Sequence, residues 1–205
     1  MASRSPSPPV MKYLFLCSIV TLLTGCIGST GTNTSLTMQL RNPLFAERYY
    51  DEQVDHMVSL EIQNDPLATA EDKKEIIDEV RVASLKKAKD AEARQKEGMV
   101  GIIKSDFEYA VGEALLLDNT LFLGPTFETI PGPSLEVYVS TIHDPREGTF
   151  PDASAQNLGP LQTPYGAQSF PVPAPKSTEP ADQFRTFVLW DSDLERIYGF
   201  TQLTQ

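Results

Sequence analysis

Thiol is almost missing from this chain. Cys17 and Cys26 are the only cysteines among 205 residues, so everything after residue 26 is thiol-free. That excludes disulfide cross-links, thiolate metal sites and a cysteine nucleophile from the body of the protein. Histidine is just as scarce, with His56 and His143 alone, and a haem or Zn site typically takes one or more. Positive charge is in short supply too: 17 Lys and Arg face 28 Asp and Glu, for a formal net charge of −11. Nucleic acid and anionic lipid headgroups repel such a chain. No apolar run is long; Tyr13 to Leu23 supplies about half of the roughly 20 residues that cross a bilayer. Gly-x-Ser-x-Gly, His-Glu-x-x-His and phosphate-binding glycine loops are all absent. No catalytic arrangement emerges, and the residues call for no cofactor.

What the chain does have begins at its front. Lys12 precedes the apolar run, and Leu23-Thr24-Gly25-Cys26 closes it. A short positive segment, a short apolar segment and small residues before a cleavage point make a secretory signal. With Cys directly after Leu-Thr-Gly, the pattern resembles a bacterial lipoprotein signal. The resemblance implies cleavage before Cys26, diacylglycerol on its sulfur and a further acyl chain on its amine. Two or three acyl chains give stable anchoring, where one does not. The expected location is the cell membrane or outer membrane, facing a non-cytoplasmic compartment, with Ile27 in place of an inner-membrane-retaining Asp. Loss of residues 1–25 removes Arg4 and Lys12 and no acid, so the net charge moves from −11 to −13.

Residues 26–41 begin as a Gly/Ser/Thr stretch, the composition of a flexible tether. Residues 42–97 predict a helical hairpin. Asn42 suits an N-cap and Pro43 the first helical position. Phe45, Tyr49, Val54, Met57 and Val58 recur at helical spacing up to Ile62. Asn64-Asp65-Pro66 interrupts the pattern. A second helix is expected from Thr69, with Thr69-x-x-Asp72 as a variant capping box. Ile76, Ile77, Val80, Ala83, Leu85, Ala88 and Ala91 form its narrow apolar stripe, and Gly98 ends it. The hairpin is expected to cap a sheet edge, with a docking arm as the alternative.

After Gly98 the pattern turns to short apolar or alternating runs: 99–103, 109–117, 121–123, 135–140 and 187–190. Asp118-Asn119, Gly124-Pro125, Pro131-Gly132-Pro133 and Asp144-Pro145 punctuate them. Most of the 16 prolines lie in this half, which excludes long helices there. The expected class is α+β, an N-terminal helical hairpin followed by an antiparallel β-sandwich over 98–205. Residues 144–182 read as mostly loop, and Pro171-Val-Pro-Ala-Pro175 as an extended strap on which Tyr165 and Phe170 are candidates to line a ligand groove.

Scattered over this half are Val111-Gly112, Leu115-Leu-Leu117, Gly132-Pro-Ser-Leu-Glu-Val-Tyr138, Leu158-Gly-Pro-Leu161, Phe184-Arg-Thr-Phe-Val-Leu-Trp190 and Ile197-Tyr-Gly-Phe-Thr-Gln-Leu203. In that order they resemble a DM13 domain. The resemblance implies a small β domain of secreted and membrane-anchored proteins that often accompanies domains thought to bind haem or pass electrons. It also implies a redox-active Cys after the aromatic residue of the late strand. Asp191 stands at that position here, and a carboxylate cannot cycle through sulfenate or disulfide states.

Four residues remain as candidate ligand or metal positions. His143 and Asp144 lie in a turn rich in ionisable groups, which reads equally as an ordinary solvated loop. Asp191 and Asp193, with Glu195, offer oxygens at a spacing that suits Ca²⁺, or form an acidic strand end. His56 beside Met57 reads as a surface histidine, since neighbours on a helix point about 100° apart. The sequence therefore predicts a lipid-anchored, non-enzymatic envelope protein. Its β domain would bind an envelope protein or a small ligand, with an electron-transfer accessory as the alternative.

Overall fold

The computed structural model describes residues 35–179 and 182–205. The signal, Cys26 and most of the expected tether lie outside these residues. Among the described residues four helices precede an antiparallel sheet: α1 (Leu36–Gln39), α2 (Pro43–Ile62), α3 (Pro66–Thr69) and α4 (Glu71–Gln95). The strands are β1 (Met99–Ser105), β2 (Ala110–Leu117), β3 (Thr120–Leu123), β4 (Glu128–Thr129), β5 (Leu135–Ser140), β6 (Gln156–Pro160), β7 (Gln168–Pro171), β8 (Thr186–Asp191) and β9 (Arg196–Gln202). The class is α+β, as the sequence predicts. No helix among the described residues is long and apolar enough to cross a membrane.

The hairpin forms where its caps put it. Asn42 Oδ1 accepts the Leu44 N–H at 3.1 Å, and its Nδ2 donates to the Leu123 carbonyl at 2.8 Å. One side chain thus caps α2 and ties it to β3. Asp65 caps α3 through the Leu67 N–H. The second long helix starts two residues later than expected, at Glu71. The Thr69 hydroxyl donates to the Pro66 carbonyl instead, so Thr69 closes α3 rather than capping α4. Ser84, Ala88 and Ala91 are buried against α2. Small side chains there let the two backbones approach, and Ser84 Oγ donates to Gln53 at 2.7 Å. The end of the expected tether is also ordered, with Ser35 capping the single turn of α1.

The hairpin touches the sheet only at its foot. Leu44 packs on Leu115, Leu117, Val100 and Phe122, the outer face of β1–β3. Arg94 reaches Asp118 on the β2–β3 turn at 3.0 Å. Further out, Ile62, Leu67, Val82 and Leu85 are exposed. The edge-capping role expected for the hairpin is therefore corrected: it covers part of a sheet face, and the rest projects.

The nine strands form one antiparallel sheet, ordered β6-β5-β8-β9-β1-β2-β3-β7, with β4 paired to β2. The β2–β3 turn is Asp118-Asn119, with φ of 49° and 56°. Two positive φ values make the tight turn that matches strand twist, and Asn and Asp tolerate them. The interior is filled by Ala114, Leu121, Leu123, Phe127, Val137, Val139, Phe187 and Leu189, all nearly or fully buried. The opposite face of β5, β8 and β9 carries Tyr138, Val188, Trp190 and Ile197, covered by Phe150 from the long loop after β5. This second covering makes β8 buried along its whole length.

Two strands, β6 and β7, fall where the sequence reads as loop, and Phe170 lies in the interior at 2% exposure. Their Gln, Asn, Gly and Pro content hides a strand pattern. They bring the two ends of the sheet together. Gln168 Oε1 accepts from the Gln162 and Thr163 N–H groups, its Nε2 donates to the Thr163 carbonyl, and Gln162 Nε2 donates to the Ser169 carbonyl. Side-chain amides thus join a sheet that is nearly closed.

Candidate functional site

The outer face of β5, β8 and β9 is only partly roofed, and the gap is a groove of about 870 Å³. Tyr138, Trp190, Ile197 and Phe150 line its apolar part. The Phe150 ring meets Trp190 edge-on at 5.3 Å and Tyr138 at 5.4 Å. Three turns make the rim: Asp106 and Phe107 after β1, Arg146 after β5, and Ser192, Leu194 and Glu195 between β8 and β9, with Arg196 at the start of β9. Phe107 is 77% exposed and Leu194 51%, so large apolar side chains stand open to solvent around an aromatic lining.

A polar knot fixes the roof. Buried Ser140, at the end of β5, donates to Asp152, and Asp152 also takes the N–H and hydroxyl of Ser154. Burial pushes the Asp152 carboxyl up, but the Ser154 and Ser140 hydrogen bonds outweigh it and leave it below its usual value. The loop that carries Phe150 is held against the strand by this knot.

The rim charges are mostly matched. Arg146 donates to both oxygens of Asp144, at 2.8 and 2.5 Å, and lies 4.6 Å from the centre of the Phe200 ring. The Arg146 hydrogen bonds bring the Asp144 carboxyl down to about 2. Arg196 bonds Glu108 at 2.6 Å and lies 5.6 Å from the Phe107 ring centre. Asp106 is the exception: its Oδ2 is closed off from solvent and has no hydrogen-bond partner. A buried acceptor left so costs about 1–3 kcal/mol, more when charged.

The sequence-predicted residues do not assemble into one site. His143 is exposed, and its Nε2 lies 3.0 Å from Arg185 Nη1. Asp144 is committed to Arg146. Asp191 is fully buried: Oδ1 accepts the Asp193 and Leu194 N–H groups at 3.1 and 3.0 Å, and Oδ2 faces the Ser134 N–H at 3.5 Å. Asp193 and Glu195 point to solvent. The calcium reading is corrected, because the first carboxylate of the set caps the β8–β9 turn from inside. Among the described residues no three of His, Cys, Asp and Glu gather closely enough to hold a metal ion. His56 is exposed on α2, and Tyr165 is exposed while Phe170 is core.

Asp191 also explains part of the Gly-Pro-x-Leu-x-Val-Tyr stretch. A side chain at Gly132 would collide with Asp191 Oδ2 and come within 2.6 Å of the Tyr198 hydroxyl. Burial, then the negative charges of Asp191 and Glu108 and the hydrogen bond to Asp191, push the Tyr198 phenol up. The segment 131–134 is packed directly over a buried Asp–Tyr pair.

Sequence reasoning passed over Asp106, Phe107, Arg146, Leu194 and Arg196 as a group. They lie on three turns far apart in the chain, and only the strand order joins them. The signal available was an aromatic and an apolar residue, Phe107 and Leu194, each placed in a polar turn.

A single, nearly closed antiparallel sheet with an aromatic groove on its outer face, behind a helical hairpin, defines a small β module. Residues 103–203 match the family model described as "Electron transfer DM13". The C-terminal part of the chain is a DM13 domain. No curated protein and no solved structure matches the chain.

Proposed function

We propose that the chain is a lipid-anchored envelope protein whose DM13 domain works as a non-enzymatic binding module, with the aromatic groove as its binding surface. The groove carries the reading. Its volume falls in the range of small-ligand sites, about 300–1,000 Å³, and such sites are typically apolar and aromatic with a few placed polar groups. Exposed Phe107 and Leu194 at the rim are the side chains a bound partner would cover. The test is retention from a detergent-solubilised envelope of the native host on the immobilised chain. A species held by the unaltered protein and lost with Leu194→Asp supports the reading; equal retention by both, or none, counts against it.

Anchoring has its own test. Cys26→Ser is expected to leave the precursor unprocessed or to release the protein from the membrane fraction. Normal maturation with unchanged membrane association would remove the anchor from the reading.

The family description favours electron transfer as a second reading. Asp191 at the position of the family thiol weakens its thiol form. Protein purified from its native host would then have to give a reversible midpoint potential. A colourless preparation without one would end this alternative.

A further inference from the structure

The inference here rests on the groove being a binding surface and names what it would select. We propose that the groove takes a small ligand with a protonated amine on an apolar body. Size and lining set the body: about 870 Å³ beside Trp190, Phe150 and Leu194. Charge sets the head group. Both rim arginines are already engaged, Arg146 by Asp144 and Arg196 by Glu108. An anionic ligand would have to share an arginine whose charge a neighbouring carboxylate already offsets. The acids lining the groove are less closely matched: Asp106 and Glu195 enter no ion pair among the described residues, and Asp106 has only the through-space attraction of Arg146. Asp106 Oδ2 moreover lacks any donor, and because it is closed off from solvent an entering head group has to displace the rim to reach it. An ammonium supplies three N–H donors and no acceptor, which is what that carboxylate lacks. The aromatic rings suit the same head group, since a cation over a ring face is attracted by its quadrupole. Phe107, at the rim, already holds the Arg196 guanidinium in this way. The excess of acid over the whole chain favours the approach of a cation as well.

The chain contains one tryptophan, and it lies in the groove, so its emission reports occupancy without a label. Titrate the full chain with 2-phenylethylamine and, separately, with 3-phenylpropionate, which have similar bodies and opposite charge. The amine is expected to change Trp190 emission and to bind about tenfold more tightly than the acid, the scale of one charge-assisted contact. Asp106→Asn is expected to erase most of that preference while the acid binds as before. Equal binding of the two probes, or tighter binding of the acid, overturns the amine preference and leaves the groove as a binding surface. No response to either probe takes down both. If Asp106→Asn does not fold, the two probes on the unaltered chain decide the matter alone.

Discussion

At the scale of single residues, the buried carboxylate of Asp191 holds a turn together. A thiol there would be a weak donor and a weak acceptor. The carboxylate instead gathers two N–H groups of the β8–β9 turn and lies beside the Tyr198 phenol. Asp191→Asn keeps the shape but removes one acceptor oxygen, and is expected to cost about 1–3 kcal/mol in urea unfolding. Asp191→Cys is expected to cost at least as much, and a variant as stable as the parent would show that the turn does not depend on the carboxylate. Asp144 gives a pH prediction. Its folded pKa of about 2 lies below the roughly 3.9 of an unfolded Asp. The Asp144–Arg146 pair therefore adds stability that is fully present above about pH 3.9 and is lost as pH falls through the folded value. A carboxyl NMR titration should place its midpoint near 2 and move it upward in Arg146→Ala; an ordinary midpoint in the parent would mean that the pair is not formed.

At the scale of elements, the foot of the hairpin is the joint to probe. Leu44 is 4% exposed among Leu115, Leu117 and Phe122, so Leu44→Ala is expected to cost about 2–5 kcal/mol. Asn42→Ala removes a cap worth about 1 kcal/mol and leaves the Leu123 carbonyl without its side-chain donor. Both losses should appear in the main unfolding transition, because the foot is built into the sheet's outer face. A separate early transition that leaves the β domain untouched would contradict this. The projecting end behaves differently. The turn region between Ile62 and Glu71 is mostly exposed, and limited proteolysis should cut there first, with mass spectrometry locating the site. First cleavage inside the sheet would reverse the picture.

At the scale of the whole molecule, the sequence made the division plain and the closure obscure. The hairpin was legible because Asn42-Pro43 and Asp65-Pro66 are strong local signals and the apolar residues recur at helical spacing. β1, β2, β3, β5 and β8 were legible as apolar runs between turns. β6 and β7 were not, since their stability comes from neighbours in space, Val137 and Leu121 among them, rather than from their own residues. The groove was illegible for a similar reason: β1 lies beside β9, which brings the Phe107 turn to the Arg196 turn across ninety residues of chain. The Gly132 stretch was recognisable by resemblance, and its physical cause, a backbone pressed onto Asp191, became visible only in three dimensions.

The meeting of β6 and β7 has one more consequence. Ladder rungs elsewhere in the sheet are main-chain bonds whose loss would disturb the packed interior. Between these two strands the bridge consists of glutamine head groups, the buried one of Gln168 and the exposed one of Gln162, whose bond to the Ser169 carbonyl water can replace without disturbing the adjoining pairings. The cylinder therefore has a zip: amide protons beside Ser169 and Thr163 should exchange with solvent well before those of β8, and any widening of the wall would begin along that line.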